Sequence, residues 1–261
     1  MFVDIIGQIA SQIDLFLLIL ARVGGMFLTG PIYSNRIVPR QVRALMTVSL
    51  AIIMFMGLQL QNPVVPSKLG PFALYLTGEM IIGMIIGFVA QFVFGAIQFA
   101  GQNIDFMMGY SIVNVIDPIY GNQASLIGSF KNILALLIFL ITNSHHYLIV
   151  ALYQSYERIP IFGLSVSKGV TGVMVDLFGN MLVTGLKIGI PVVGAIFVAE
   201  VALGLIARTM PQMPVFFVGI PLKIFVGTII LVIVLPIYMF TLQFLFEGSY
   251  RDTLRILNML R

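Results

Sequence analysis

The sequence predicts an all-α protein built from hydrophobic helical hairpins and made for a membrane or a membrane assembly. Three observations carry that expectation. Of 261 residues, 59% are hydrophobic and only 9% charged, with a mean hydropathy of +1.07, whereas a soluble domain carries about 25% charged residues. Six apolar segments follow one another, several longer than the roughly 20 residues that cross a bilayer. Single charges nevertheless sit inside them, among them Arg22, Glu79, Lys187, Glu200 and Lys223. A charge in hydrocarbon costs at least about 2 kcal/mol, so such groups normally face a protein partner or an aqueous path.

The first segment runs from about Ile9 to Ile32. The residues before it, Met-Phe-Val-Asp-Ile-Ile, lack a basic stretch, so a cleaved leader is not expected and the first helix is expected to stay. Asp14 and Arg22 lie two turns apart on roughly one helical face, too far apart to touch. Either they line a path or an intersubunit seam, or Asp14 sits at the helix end and Arg22 snorkels to the interface. A polar, basic connection with Arg36, Arg40 and Arg43 leads to the second segment, Val42 to Leu60.

A proline-punctuated turn carrying Lys68 precedes the third segment, Phe72 to Ala100, which holds Glu79. Gly83, Gly87, Gln91, Gly95, Gln98 and Gln102 draw a stripe of small and amide residues along it. Small residues let helix backbones approach closely and amides bond across the seam, so tight helix packing is expected here. The connection from Gly101 to Lys131 is the longest. It holds Met107, Met108, Gly109, Tyr110, Ser111, Asp117, Pro118 and Gly121. A structureless loop of that length is uncommon and often functional, and methionine packs adaptably. A plain exposed connector is the alternative.

The fourth segment, Ile133 to Tyr153, contains Asn143 and His145-His146. Adjacent histidines on a helix point about 100° apart and make a poor metal pair, so packing at a helix end is the better reading. The fifth, Val173 to Ile206, carries Lys187 between Gly185 and Gly189, then Pro191 and Glu200. A turn with Arg208, Pro211 and Gln212 leads into the sixth, Val215 to Phe246, with Pro221, Lys223 and Pro236. The third, fifth and sixth segments exceed one bilayer crossing, and the three prolines are candidate kink sites.

Charge does not orient these segments. With six spans, one side holds Lys68, Arg158, Lys168, Arg251, Arg255 and Arg261, and the other Arg36, Arg40, Arg43, Lys131 and Arg208. Such balance selects no topology under the positive-inside rule. The net charge of +4 is spread thinly, with no basic run that predicts nucleic-acid binding. The absence of cysteine excludes disulfides, thiolate metal sites and cysteine nucleophiles. No nucleophile with its base, phosphate loop or carboxylate pair is found, so neither an enzyme nor a cofactor is expected. Asp105, Asp117, Glu79 and Glu200 are scattered candidates for proton carriers.

Taken together, these residues resemble the FliR family of the flagellar type III export gate, whose injectisome counterpart is SctT. The resemblance rests on Arg22 with Gly24, Pro31, Pro39-Arg40, Gly87 through Gly101-Gln102, Asp105, Met108-Gly109, Asp117-Pro118 and Asn143-Ser-His145. It rests above all on Leu203-Gly204-Leu205 with Arg208, Pro211-Gln212, Val215-Phe216, Gly219, Pro221-Leu222 and Lys223. The resemblance spans essentially the whole length. It implies a gate subunit in a helical hetero-oligomer with P-type and Q-type subunits, in the inner membrane at the flagellar basal body, through which unfolded polypeptides are exported.

It further implies contacts with FlhB-like and FlhA-like export proteins and proximal rod proteins. Residues 1–170 would correspond to a P-type part and 171–261 to a Q-type hairpin with a short basic tail. The assembled complex would sit largely raised out of the bilayer, which would account for charges within apolar helices and the balanced topology count. Residues 107–123 would form a plug in the closed pore. The family pattern has one methionine preceded by glutamine where this chain has Phe106-Met107-Met108. The seam would include Arg22, Glu79, Gly83, Gly87, Gln91, Gln102, Lys187, Glu200, Arg208, Pro211, Gln212 and Lys223. An injectisome subunit, or a small secondary transporter acting alone, is the alternative; the transporter would be expected to show inverted repeats, and none is found.

Overall fold

A computed structural model describes residues 12–31, 38–58, 69–110, 125–164, 169–210, 212 and 214–260. Among the described residues the chain is all-helical, with seven helices and no strand. They are α1 (Ile13–Thr29), α2 (Arg40–Gly57), α3 (Leu69–Met108), α4 (Leu126–Ile141), α5 (Ser144–Arg158), α6 (Gly169–Thr209) and α7 (Val215–Met259). Four of them are long and apolar enough to cross a membrane, or five if the bent pair α4–α5 is one span.

The apolar segments match these helices with two instructive differences. The fourth segment is broken: α4 and α5 are bent by 66°. The break falls at Asn143, whose φ of 55° is left-handed, a conformation that asparagine tolerates better than most residues. The polar stretch that begins at Gly101 is helical through Met108, so α3 has 40 residues and the connection is shorter than the sequence predicts. Polarity there marks a change of helix surroundings, not a loop. Pro191, Pro221 and Pro236 all lie inside α6 and α7, which continue through them.

The chain divides into two compact units. The first comprises Met1–Gln91, Asn143–Val175 and Glu247–Arg261. In it α1 buries Leu15, Leu18, Ile19, Arg22, Val23 and Met26, the three- and four-residue spacing of a helix with one inward face. This face meets α3 at glycines. A Cβ on Gly83 would overlap the Arg22 carbonyl, one on Gly25 the Met80 carbonyl, and one on Gly87 would lie 2.7 Å from Met26 O. Side chains are excluded from this crossing, so backbones pack on backbones. Tyr147 stacks on Tyr250 at 5.3 Å, and Arg158 donates to Asn258 Oδ1, which fastens the end of α7 to α5.

The second unit comprises Phe92–Thr142 and Asp176–Phe246. Ile104 and Met108 of α3 bury against Val192 and Ile196 of α6. Gly185 of α6 continues this close packing, since a Cβ there would come within 2.7 Å of Ala96 O. Phe94, Phe139 and Phe246 form an aromatic cluster with centroids 4.9 to 5.8 Å apart. Lys131 is buried with its ammonium 4.5 Å from the centre of the Tyr238 ring, and the Tyr238 hydroxyl donates to Lys131 O at 3.0 Å. Cation–π attraction compensates part of the cost of withdrawing this charge from water.

Candidate functional site

The polar residues fall into three groups, and each is used differently. In the first unit, Arg22 is wholly buried and Glu79 is 3% exposed, with Arg22 Nε donating to Glu79 Oε2 at 2.6 Å. Arg22 also donates to Ser155 Oγ at 3.0 Å and to Ile159 O at 3.1 Å, while its guanidinium lies 4.1 Å from the centre of the Tyr156 ring. Three helices, α1, α3 and α5 with its C-cap Ile159, thus converge on one side chain. Of the two readings left open for Arg22, snorkelling is not the one found: the side chain points into the packing, where a carboxylate, a hydroxyl and a carbonyl replace water. Asp14 is exposed in the first turn of α1, where a negative charge suits the helix dipole.

The second group surrounds the long connection. Gly109, with φ of 90°, ends α3. Gly109 N donates to Phe106 O at 3.2 Å and Tyr110 N to Asp105 O at 3.0 Å. This pair of bonds is the Schellman closure, in which glycine takes the left-handed position at no steric cost. The two methionines separate here. Met108 is fully buried in the cluster with Ile104, Val192 and Ile196, while Met107 and Tyr110 are each partly buried against its edge. Gly227 of α7 leaves room for Met108, whose Cε would lie 2.8 Å from a Cβ added there. Ser111, Asp117, Pro118 and Gly121 lie outside the described residues, as does Pro211.

The third group lies along α6 and α7. Lys223 Nζ and Glu200 Oε1 pair at 2.6 Å at a partly exposed position. Lys187 is exposed between exposed Leu186 and Ile190, Arg208 is exposed in the last turn of α6, and Gln212 is exposed in the turn after it. Gly83 and Gly87 of the stripe pack inside the chain, whereas Gln91 and Gln102 are exposed. Gln98 Oε1 accepts from Asn132 Nδ2 at 2.6 Å, the one amide of the stripe bonded across a helix seam among the described residues. Glu79 and Glu200, read from sequence as candidate proton carriers, are both held in ion pairs.

Sequence reasoning named Arg22 and Glu79 separately and did not join them. It missed Ser155, Tyr156 and Ser125. For Ser125 a signal existed, since a serine just before an apolar run is a helix-start pattern.

Among the described residues no group of three or more histidine or carboxylate side chains could hold a metal ion. The arrangement is that of an apolar, membrane-type helical protein whose described buried polar groups, Arg22, Glu79, Asp105 and Lys131 among them, join helices. Residues 13–249 match the family described as Bacterial export proteins, family 1. The chain is 36% identical to the flagellar biosynthetic protein FliR of Bacillus subtilis (strain 168), over 87% of this chain and 89% of that protein. It is 30% identical to FliR of Escherichia coli (strain K12), over 88% and 87%, and 26% identical to FliR of Aquifex aeolicus (strain VF5), over 94% and 95%. The chain belongs to this family of bacterial export proteins, the FliR family of flagellar export components.

Proposed function

We propose that this chain is a structural and gating subunit of the flagellar type III export gate, and not an enzyme. In this reading it joins P-type and Q-type subunits to form the channel through which unfolded flagellar proteins leave the cytoplasm. Residues 1–170 supply the P-type part and 171–261 the Q-type hairpin. The complex sits at the inner membrane within the flagellar basal body, largely raised out of the bilayer, and meets FlhB-like, FlhA-like and proximal rod proteins.

The observation that carries this is the uncovered apolar surface of α6. Only 17% of its most apolar stretch is buried by the rest of the chain. Large hydrophobic residues are exposed from Val175 to Ile206, a length of roughly 45 Å at 1.5 Å per residue. A hydrocarbon core about 30 Å thick covers about 40 Å of helix at the steepest usual tilt. Lipid alone is too thin for this face, and neighbouring apolar helices supply the remaining cover. Lys187, exposed in the middle of the same face, fits a protein neighbour better than acyl chains.

Within this reading residues 107–123 plug the closed pore, with Met108 as the anchor and Met107 at the edge. Deleting residues 110–122 is expected to make the membrane conduct ions. Unchanged conductance in a complex that still assembles overturns the plug assignment.

A further inference from the structure

One residue, Asp105, bonds at both ends of the connection between α3 and α4, with its backbone carbonyl at the first end and its carboxylate at the second. Asp105 is 6% exposed. Its backbone carbonyl accepts from Gly109 N at 3.1 Å and Tyr110 N at 3.0 Å, where the chain leaves α3. Its side-chain Oδ1 accepts from Ile127 N at 3.1 Å, in the first turn of α4, where the chain returns. The amides of a first helical turn have no partner within their own helix. Here Ser125 Oγ takes the Gly128 amide at 2.8 Å, and Asp105 takes the Ile127 amide from a different helix. A carboxylate at that end also meets the positive pole of α4, a charge-assisted arrangement. The same corner is closed sterically, since a Cβ on Gly101 would overlap the Gly128 backbone. Asp105 Oδ2 accepts no hydrogen bond from the described residues, so the Ile127 amide is what fixes the carboxyl rotamer there.

We infer that Asp105 is the positioning residue of this corner, setting the end of α3 against the start of α4 through its bond to the Ile127 amide. Its consequence for pore closure rests on the plug reading given above.

The chain contains no cysteine, so a Phe106→Cys/Leu126→Cys double variant can carry nitroxide labels on two exposed stem positions. The distance between labels is read in the complex purified from native membranes. Ion leak is read from the same complex in phosphatidylethanolamine–phosphatidylglycerol vesicles loaded with a potassium-sensitive dye. Asp105→Asn keeps an acceptor oxygen and is expected to preserve both the distance and the tight vesicles. Asp105→Leu keeps the volume without the acceptor and, like Asp105→Ala, is expected to lengthen and broaden the distance distribution and raise leak at least several-fold. Should Leu and Ala reduce assembly, the same ranking is expected in the yield of complex, with Asn like wild type. Rescue by Leu and not by Asn, or an unchanged distance in Asp105→Ala, overturns the inference. A changed distance without leak upholds the stem role and overturns the plug reading.

Discussion

Arg22 and Glu79 meet at 2.6 Å, and both are withdrawn from solvent. They come from helices separated by 57 positions in sequence, and the pair lies beside the glycine crossing of α1 and α3. A buried charge pair is thus placed where two helix backbones approach closely. Ser155 Oγ, Ile159 O and the Tyr156 ring complete the coordination of the guanidinium.

Removing one partner of this pair is expected to be worse than removing both. Arg22→Met leaves the Glu79 carboxylate buried alone, and Glu79→Leu leaves the guanidinium so; each is expected to cost about 3 to 5 kcal/mol. The Arg22→Met/Glu79→Leu double variant should recover a large part of that loss. Arg22→Lys should not substitute, because an ammonium cannot meet three acceptors in a planar fork. Thermal denaturation of the purified complex, followed by loss of helical signal, checks the order of these four variants.

Gly83→Ala adds a single methyl group that would overlap the Arg22 carbonyl. Helical glycine replaced by alanine normally gains up to about 1 kcal/mol from propensity. Here the sign reverses, with an expected loss of about 1 to 3 kcal/mol from overpacking. Gly179→Ala, where a Cβ meets nothing within 4 Å, serves as the comparison and should be neutral or mildly stabilising. The two variants measured side by side in the same thermal assay separate packing from propensity.

The Glu200–Lys223 pair is more exposed, at 50% and 21%. Screening and side-chain entropy hold its worth to no more than about 1 kcal/mol within the chain. Exchanging the two residues, Glu200→Lys with Lys223→Glu, should therefore leave the stability of the chain nearly unchanged. If these groups also meet neighbouring subunits, the exchanged variant should lose motility and complex yield despite its stability. Normal swarming would place the pair outside any interface.

The helices were largely legible in the sequence because hydropathy reports them directly, and the Gly83–Gly87 stripe correctly announced close packing. What the stripe could not say was which helix it meets, since small residues permit an approach without specifying a partner. The break at Asn143 is not visible in hydropathy, because one left-handed residue turns the chain without changing it. The helix-end reading of His145-His146 did point to it, and both residues lie in the first turn of α5. The end of α3 was misplaced for the opposite reason. Gln102, Asn103 and Asp105 read as loop, yet Asn103 bonds back to Phe99 O at 3.0 Å and Asp105 caps a neighbouring helix. The pairing of Arg22 with Glu79 joins distant positions, and no local pattern encodes it.

In the proposed function this chain is one part of a helical hetero-oligomer whose other subunits cover its long apolar helices. Native mass spectrometry of the tagged chain, extracted in mild detergent from membranes that make it at its natural level, tests this most directly. The expected result is a complex of fixed stoichiometry that contains P-type and Q-type subunits and survives removal of excess detergent. A chain recovered only as a monomer or as a homo-oligomer, from cells that still build flagella, would contradict it.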